Sequence, residues 1–105
     1  MWEDIDFKEL TTSDYDYLTL NAEKCVIIFT ASWCGPCKMV KPKIPAIAKE
    51  HKVTAFWMDI EKNMEITQQH NIQAVPFIMT MRSGAVVDSM ATNNIQKIAE
   101  MVSKL

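Results

Sequence analysis

Cys34 and Cys37 stand three residues apart in the run Trp33-Cys34-Gly35-Pro36-Cys37-Lys38. The apolar residues before them, 25–30, read as a buried β-strand. After them Val40, Ile44, Ile47 and Ala48 follow helical spacing. Cys34 is therefore expected at or just before a first helical turn, where free N–H groups and the positive dipole end favour a thiolate. Cys37 falls one turn further in. Helix geometry sets such residues about 5 Å apart at Cα, inside the roughly 4.4–6.8 Å that a disulfide accepts. The pair can open and close with little backbone movement.

Each neighbour has a physical reason. Pro36 falls in the first turn, where its missing N–H is harmless and its fixed φ suits a helix. Gly35 has no side chain, which lets another protein's backbone approach the Cys34 sulfur. Lys38 adds positive charge near the thiolate, as does the helix end. An exposed thiol of low pKa attacks disulfides, and a second thiol resolves the mixed disulfide that forms. Cys34 is the expected nucleophile and Cys37 the expected resolving thiol.

Other uses of these cysteines fit poorly. A zinc site needs four ligands, typically two CxxC pairs or one pair with two suitably spaced histidines. Only one pair is present, and His51 and His70 lie apart from it on helical segments, where both read as ordinary surface residues. No metal or organic cofactor is expected. Cys25 reads as a small strand residue.

The surrounding chain must position the pair. Ile5-Asp6-Phe7 is expected as a short edge strand, and Ser13 as the cap of a helix to Leu20. Residues 54–59 read as a third strand, and 64–70 as a short helix capped by Asn63. Residues 77–81 and 85–88 form a hairpin about Ser83-Gly84. Ile95, Ile98, Ala99 and Val102 make a helical stripe with Asn93 or Asn94 as its cap. Pro42 inside the long helix predicts a kink near residues 39–41, and Pro45 predicts irregularity after it. The eight methionines read as flexible core filler. This order predicts an α/β fold with a central mixed sheet covered by helices on both faces.

At 105 residues the chain supports one core, so a single domain over 1–105 is expected. Net charge of −2 argues against a phosphate-backbone binder. No stretch approaches the ~20 apolar residues of a membrane span. The acidic start lacks the basic and apolar regions of a signal peptide. A cytosolic protein is the expectation, because a lone CxxC in a reducing compartment is more often catalytic than structural.

The hexapeptide, with Phe29 and Ala31 upstream, resembles the active site of the thioredoxin family. Val75-Pro76, followed by strand-like residues, is similar to the family's cis-proline loop. Glutaredoxins and disulfide isomerases resemble this fold but usually carry another pair between the cysteines. The resemblance covers essentially the whole chain and implies a thioredoxin fold and a monomeric protein-disulfide reductase. It implies disulfide-containing client proteins and a thioredoxin reductase as partners. It implies active-site support from Trp33, Gly35, Pro36, Lys38 and Pro76. Clients would dock on an apolar patch that also holds Ile60, Ala74, Val75, Ala91 and Thr92. The other reading is a binding or assembly subunit using the fold as a rigid surface, against which the intact hexapeptide stands.

The chain departs from the family in places. Most members have a buried aspartate where Ile28 stands, and bacterial members often have a lysine where Trp57 stands. A carboxylate there can take the proton of the second cysteine. Without it, water or the departing client thiolate must do so. Thr92 stands where a glycine is usual, and Phe77 replaces a commoner small residue.

Overall fold

The structure, a computed structural model, describes residues 7–105. Its elements, in chain order, are β1 (Phe7–Glu9), α1 (Thr12–Leu20), β2 (Lys24–Thr30) and α2 (Gly35–Val40). A 3-10 turn (Lys41–Lys43), α3 (Ile44–Glu50), β3 (Thr54–Asp59) and α4 (Met64–Gln69) follow. The chain closes with β4 (Phe77–Arg82), β5 (Ala85–Ala91) and α5 (Ile95–Ser103).

The five strands lie in the order β1-β3-β2-β4-β5. β3 runs parallel to β1 and β2, while β4 runs antiparallel to β2 and β5. The mixed sheet is thus as expected. β2 is central, and its two faces belong to different packing layers. Val26 and Ile28 join Val40, Ile44 and Ile47 of the α2–α3 segment and Ile98 and Val102 of α5. Cys25, Ile27 and Phe29 face the other way, onto Tyr15 of α1 and Ile66 of α4. A strand covered on both faces reads as a continuous apolar run rather than an alternation, which is how residues 25–30 read.

Several local expectations change. Thr11, not Ser13, precedes α1 as its cap. Its N–H donates to Asp14 Oδ1 at 2.8 Å, because an acidic residue three positions on can reach back to the cap. Ser13 lies in the first turn, its hydroxyl against that of Thr11. Of the predicted edge strand, Phe7 is found in β1, while Ile5 and Asp6 lie outside the described residues. The long helix breaks at Lys41–Lys43, as Pro42 requires. After the break α3 is a regular α-helix rather than an irregular one. Pro45 lies in its first turn, where no intrahelical N–H bond is lost.

β4 turns into β5 through Ser83 (φ 50°) and Gly84 (φ 87°). Successive positive φ values match the right-handed twist of a tight hairpin. A Cβ at Gly84 would also lie 3.1 Å from Leu20 Cδ1. Asn94 caps α5, its Oδ1 accepting from the Lys97 N–H at 3.0 Å.

Candidate functional site

The chain leaves β2 at Thr30 and enters α2 at Gly35, so the cysteine run forms the joint between strand and helix. Cys34 is the N-cap of α2, with extended φ and ψ of −87° and 105°. Cys37 lies in the first turn, and Pro36 holds the turn's start. The two are joined in a disulfide with a Cα–Cα distance of 5.4 Å. The Cys37 N–H donates to Cys34 Sγ at 3.2 Å. The sulfur thereby occupies the place of a capping oxygen and satisfies one of the helix's orphan donors.

Cys34 is not exposed as expected. In the disulfide form it is 3% accessible, close to the 2% of Cys37. Ala31 packs with the two cysteines, and Ile60 and Val75 cover them from the loops after β3 and before β4. The exposed parts of the run are Trp33, Gly35, Pro36 and Lys38. A Cβ built at Gly35 meets nothing within 4 Å, so the space above it is open to an approaching chain.

Contacts link several of the expected docking residues here. The Val75–Pro76 peptide bond is cis. Pro76 is buried and accepts the Thr92 N–H on its carbonyl at 3.1 Å, tying the end of β5 to this loop. Ala91 is exposed on β5 opposite Phe77. Ile60 and Val75 are half-buried, and Ala74 is exposed beside Val75. One contributor was not legible in the sequence. Glu61 accepts from the Trp33 indole N–H and from the Ser32 hydroxyl, each at 3.2 Å, and so holds the exposed indole beside the cysteines. Its acidic side chain in a polar stretch gave no signal of that use.

Beneath the disulfide, on its Cys37 side, lies a cleft of 210 Å³ lined by Thr30, Ala31, Ser32, Cys37, Lys38, Lys41, Trp57 and Asp59. Ile28 is fully buried in the apolar layer and pairs with Trp57 in the β2–β3 register. Trp57 is half-buried, and Lys41 Nζ sits 3.3 Å from its ring centroid. Burial lowers the Lys41 pKa, while Glu9 and Asp59 act to raise it.

The opposite layer holds the other ionisable groups of interest. His70 is half-buried rather than an ordinary surface residue, with Nε2 2.8 Å from the Tyr15 hydroxyl. Burial lowers its pKa. Burial, with the nearby Cys25 and Asp16, pushes the Tyr15 phenol up to about 12. Cys25 is a free, buried thiol whose pKa burial pushes up to about 12. Among the described residues, no three of His, Cys, Asp and Glu are grouped to hold a metal ion.

The family model of thioredoxin matches residues 6–104. Thioredoxin of Geodia cydonium is 37% identical over 98 residues, spanning 90% of this chain and 92% of that protein. Thioredoxin-T of Drosophila melanogaster is 32% identical over 90 residues. That match takes in 83% of this chain but 57% of the relative, so the chain spans little more than half of some proteins it matches. Mitochondrial thioredoxin 3 of Saccharomyces cerevisiae superposes with a TM-score of 0.88 over 98% of this chain and 99% of that one. At 23% identity, that likeness speaks for the fold. With the cysteine pair closed at the strand–helix joint, these matches show that the chain belongs to the thioredoxin family.

Proposed function

We propose that this chain reduces disulfides in client proteins, with Cys34 attacking and Cys37 resolving. The observation that carries the assignment of roles is the capping geometry. Cys34 Sγ sits at the helix start and receives the Cys37 N–H, so a thiolate formed there gains a donor and the positive dipole end. Cys37 lacks that setting and stands within bonding reach of Cys34.

The electrons balance in two exchanges. The Cys34 thiolate attacks one sulfur of the client disulfide, and the other client sulfur leaves as a thiolate and takes a proton. The Cys37 thiolate then attacks the Cys34 sulfur. The client's second sulfur leaves, the Cys34–Cys37 disulfide closes, and the client has gained two electrons and two protons. Thioredoxin reductase is the partner proposed for returning the pair to its dithiol form. Docking would use the surface around Trp33, Ile60, Ala74, Val75, Pro76, Ala91 and Thr92, whose mixed exposure suits an extended client segment. The reading includes a monomer in the reducing cytosol, supported by a lone CxxC and by Cys25 remaining unpaired.

Reduction of insulin disulfides with dithiothreitol as electron source tests the activity. The chain is expected to accelerate precipitation of the insulin B chain, and Cys34→Ser to abolish the acceleration. An acceleration that survived Cys34→Ser would overturn the assignment. Cys37→Ser is expected to accumulate client chains linked to Cys34.

A further inference from the structure

Ile28, which stands where most thioredoxins have a buried aspartate, is apolar and fully buried, and the cleft beside Cys37 has no carboxylate from that position. The cleft instead brings a cation to Cys37. Cys37 and Lys41 are one turn apart, and the Lys41 N–H donates to the Cys37 carbonyl. That spacing sets their side chains on the same side of the helix, and both line the same cleft. The Lys41 ammonium is not free to wander. It lies 3.3 Å from the Trp57 ring centroid, where the negative face of the indole attracts it. Trp57 is itself set by its register with Ile28 in the sheet. The two apolar departures are therefore adjacent, and one of them forms the seat of a lysine beside the resolving thiol.

We propose that Lys41, seated on Trp57, is a positioning residue whose charge favours the Cys37 thiolate as the mixed disulfide is resolved. The inference rests on the reductase reading, in which Cys37 resolves. In this step the Cys37 thiol gives its proton to water in the cleft. Its thiolate attacks the Cys34 sulfur, the bond from Cys34 to the client breaks, and the client sulfur leaves with the electron pair and takes a proton from water. Lys41 keeps its own proton and lowers the energy of the thiolate by proximity. The other charged groups lining the cleft are Lys38 of α2, which adds to this field, and Asp59 of β3, which opposes it. Glu9 of β1 acts on Lys41. Lys38 is exposed, so solvent screens it more than the half-buried Lys41.

The test titrates Cys37 alone, in a Cys34→Ser background, by thiolate absorbance in the ultraviolet. Cys25 stays silent there, because its titration lies near 12. Lys41→Met is expected to raise the Cys37 midpoint by about half a pH unit, roughly a threefold loss of thiolate below the midpoint. Lys41→Arg restores the midpoint, and Trp57→Leu shifts it the same way as Lys41→Met. Lys41→Gln carries the same expectation should the Met variant fold poorly. An unchanged midpoint in both Lys41→Met and Lys41→Gln overturns the proposal, and an unchanged midpoint in Trp57→Leu overturns the seat. Trapping in Cys37→Ser keeps the two readings apart. If no client adduct accumulates on Cys34, the resolving role itself falls, whatever Lys41 does.

Discussion

Cys34 Sγ accepts the backbone N–H of Cys37 at 3.2 Å, so one redox partner caps the helix that carries the other. The two thiols of the reduced protein are therefore unequal. Iodoacetamide near neutral pH is expected to modify Cys34 first, Cys37 more slowly, and Cys25 only after unfolding. The last follows from its complete burial and a thiol pKa near 12. Peptide mapping of native and denatured samples checks all three, and preferential labelling of Cys37 contradicts the roles.

Ile28→Asp places a carboxyl group where most thioredoxins carry one and is expected to speed reduction of protein disulfides while lowering stability. Ile28 is fully buried among Val40, Ile44 and Ile78, and burying a carboxyl group there costs at least a few kcal/mol. Desolvation raises the new carboxyl pKa in the folded state. The unfolded chain then ionises more readily, and the penalty grows as pH rises from the unfolded pKa to the folded one. Denaturant melts from acid to neutral pH check the stability, and insulin reduction checks the rate. A variant no faster than the parent means that water already takes the proton without limiting turnover.

His70 makes stability depend on mildly acidic pH. Its folded pKa is depressed by burial below 6.5, so the unfolded chain binds the proton more readily. The contribution of neutral His70 is complete above the unfolded pKa and declines as pH falls through the folded one. Protonation also removes the lone pair on Nε2, leaving it only a donor toward the Tyr15 hydroxyl. His70→Gln is expected to flatten this part of the profile. Equal pH dependence of the two proteins in urea melts between neutral and mildly acidic pH counts against the assignment.

Gly84→Ala is expected to destabilise by about 1 kcal/mol. The residue holds φ at 87°, and the added Cβ would press on Leu20. Thermal melts check the size, and no change would mean the hairpin turn relaxes freely.

The elements nearest the cysteines were legible because their signals are local. Residues 25–30 carry an unbroken apolar run, Pro42 breaks the helix where it stands, and Asn94 caps the helix that follows it. Contacts between distant segments were not legible. Asn63 reads as a helix cap, and it does precede α4, yet its side chain works elsewhere. Its Oδ1 accepts from the Thr12 N–H and hydroxyl at 2.8 and 2.9 Å, and its Nδ2 donates to the Asp59 carbonyl at 2.8 Å. The covering of Cys34 by Ile60 and Val75, the grip of Glu61 on Trp33, and the Tyr15–His70 pair have the same origin. Each joins side chains that only the packed sheet brings together. Lys41 carries no sequence signal beyond its place at the expected kink, and its seat on Trp57 appears only in the packed structure.

The division of β2 between two layers has a consequence for engineering. Odd positions 25, 27 and 29 pack toward α1 and α4, while 26 and 28 pack toward the layer that carries the cysteine helix. A combinatorial library confined to the odd positions would repack the layer that shares Ile60 and Val75 with the disulfide, and so would reach the redox centre through its cover. One confined to the even positions would repack the layer beneath the cysteine helix and spare the Tyr15–His70 side. Neighbours in the chain, Ile27 and Ile28, thus offer two separate handles on the same protein.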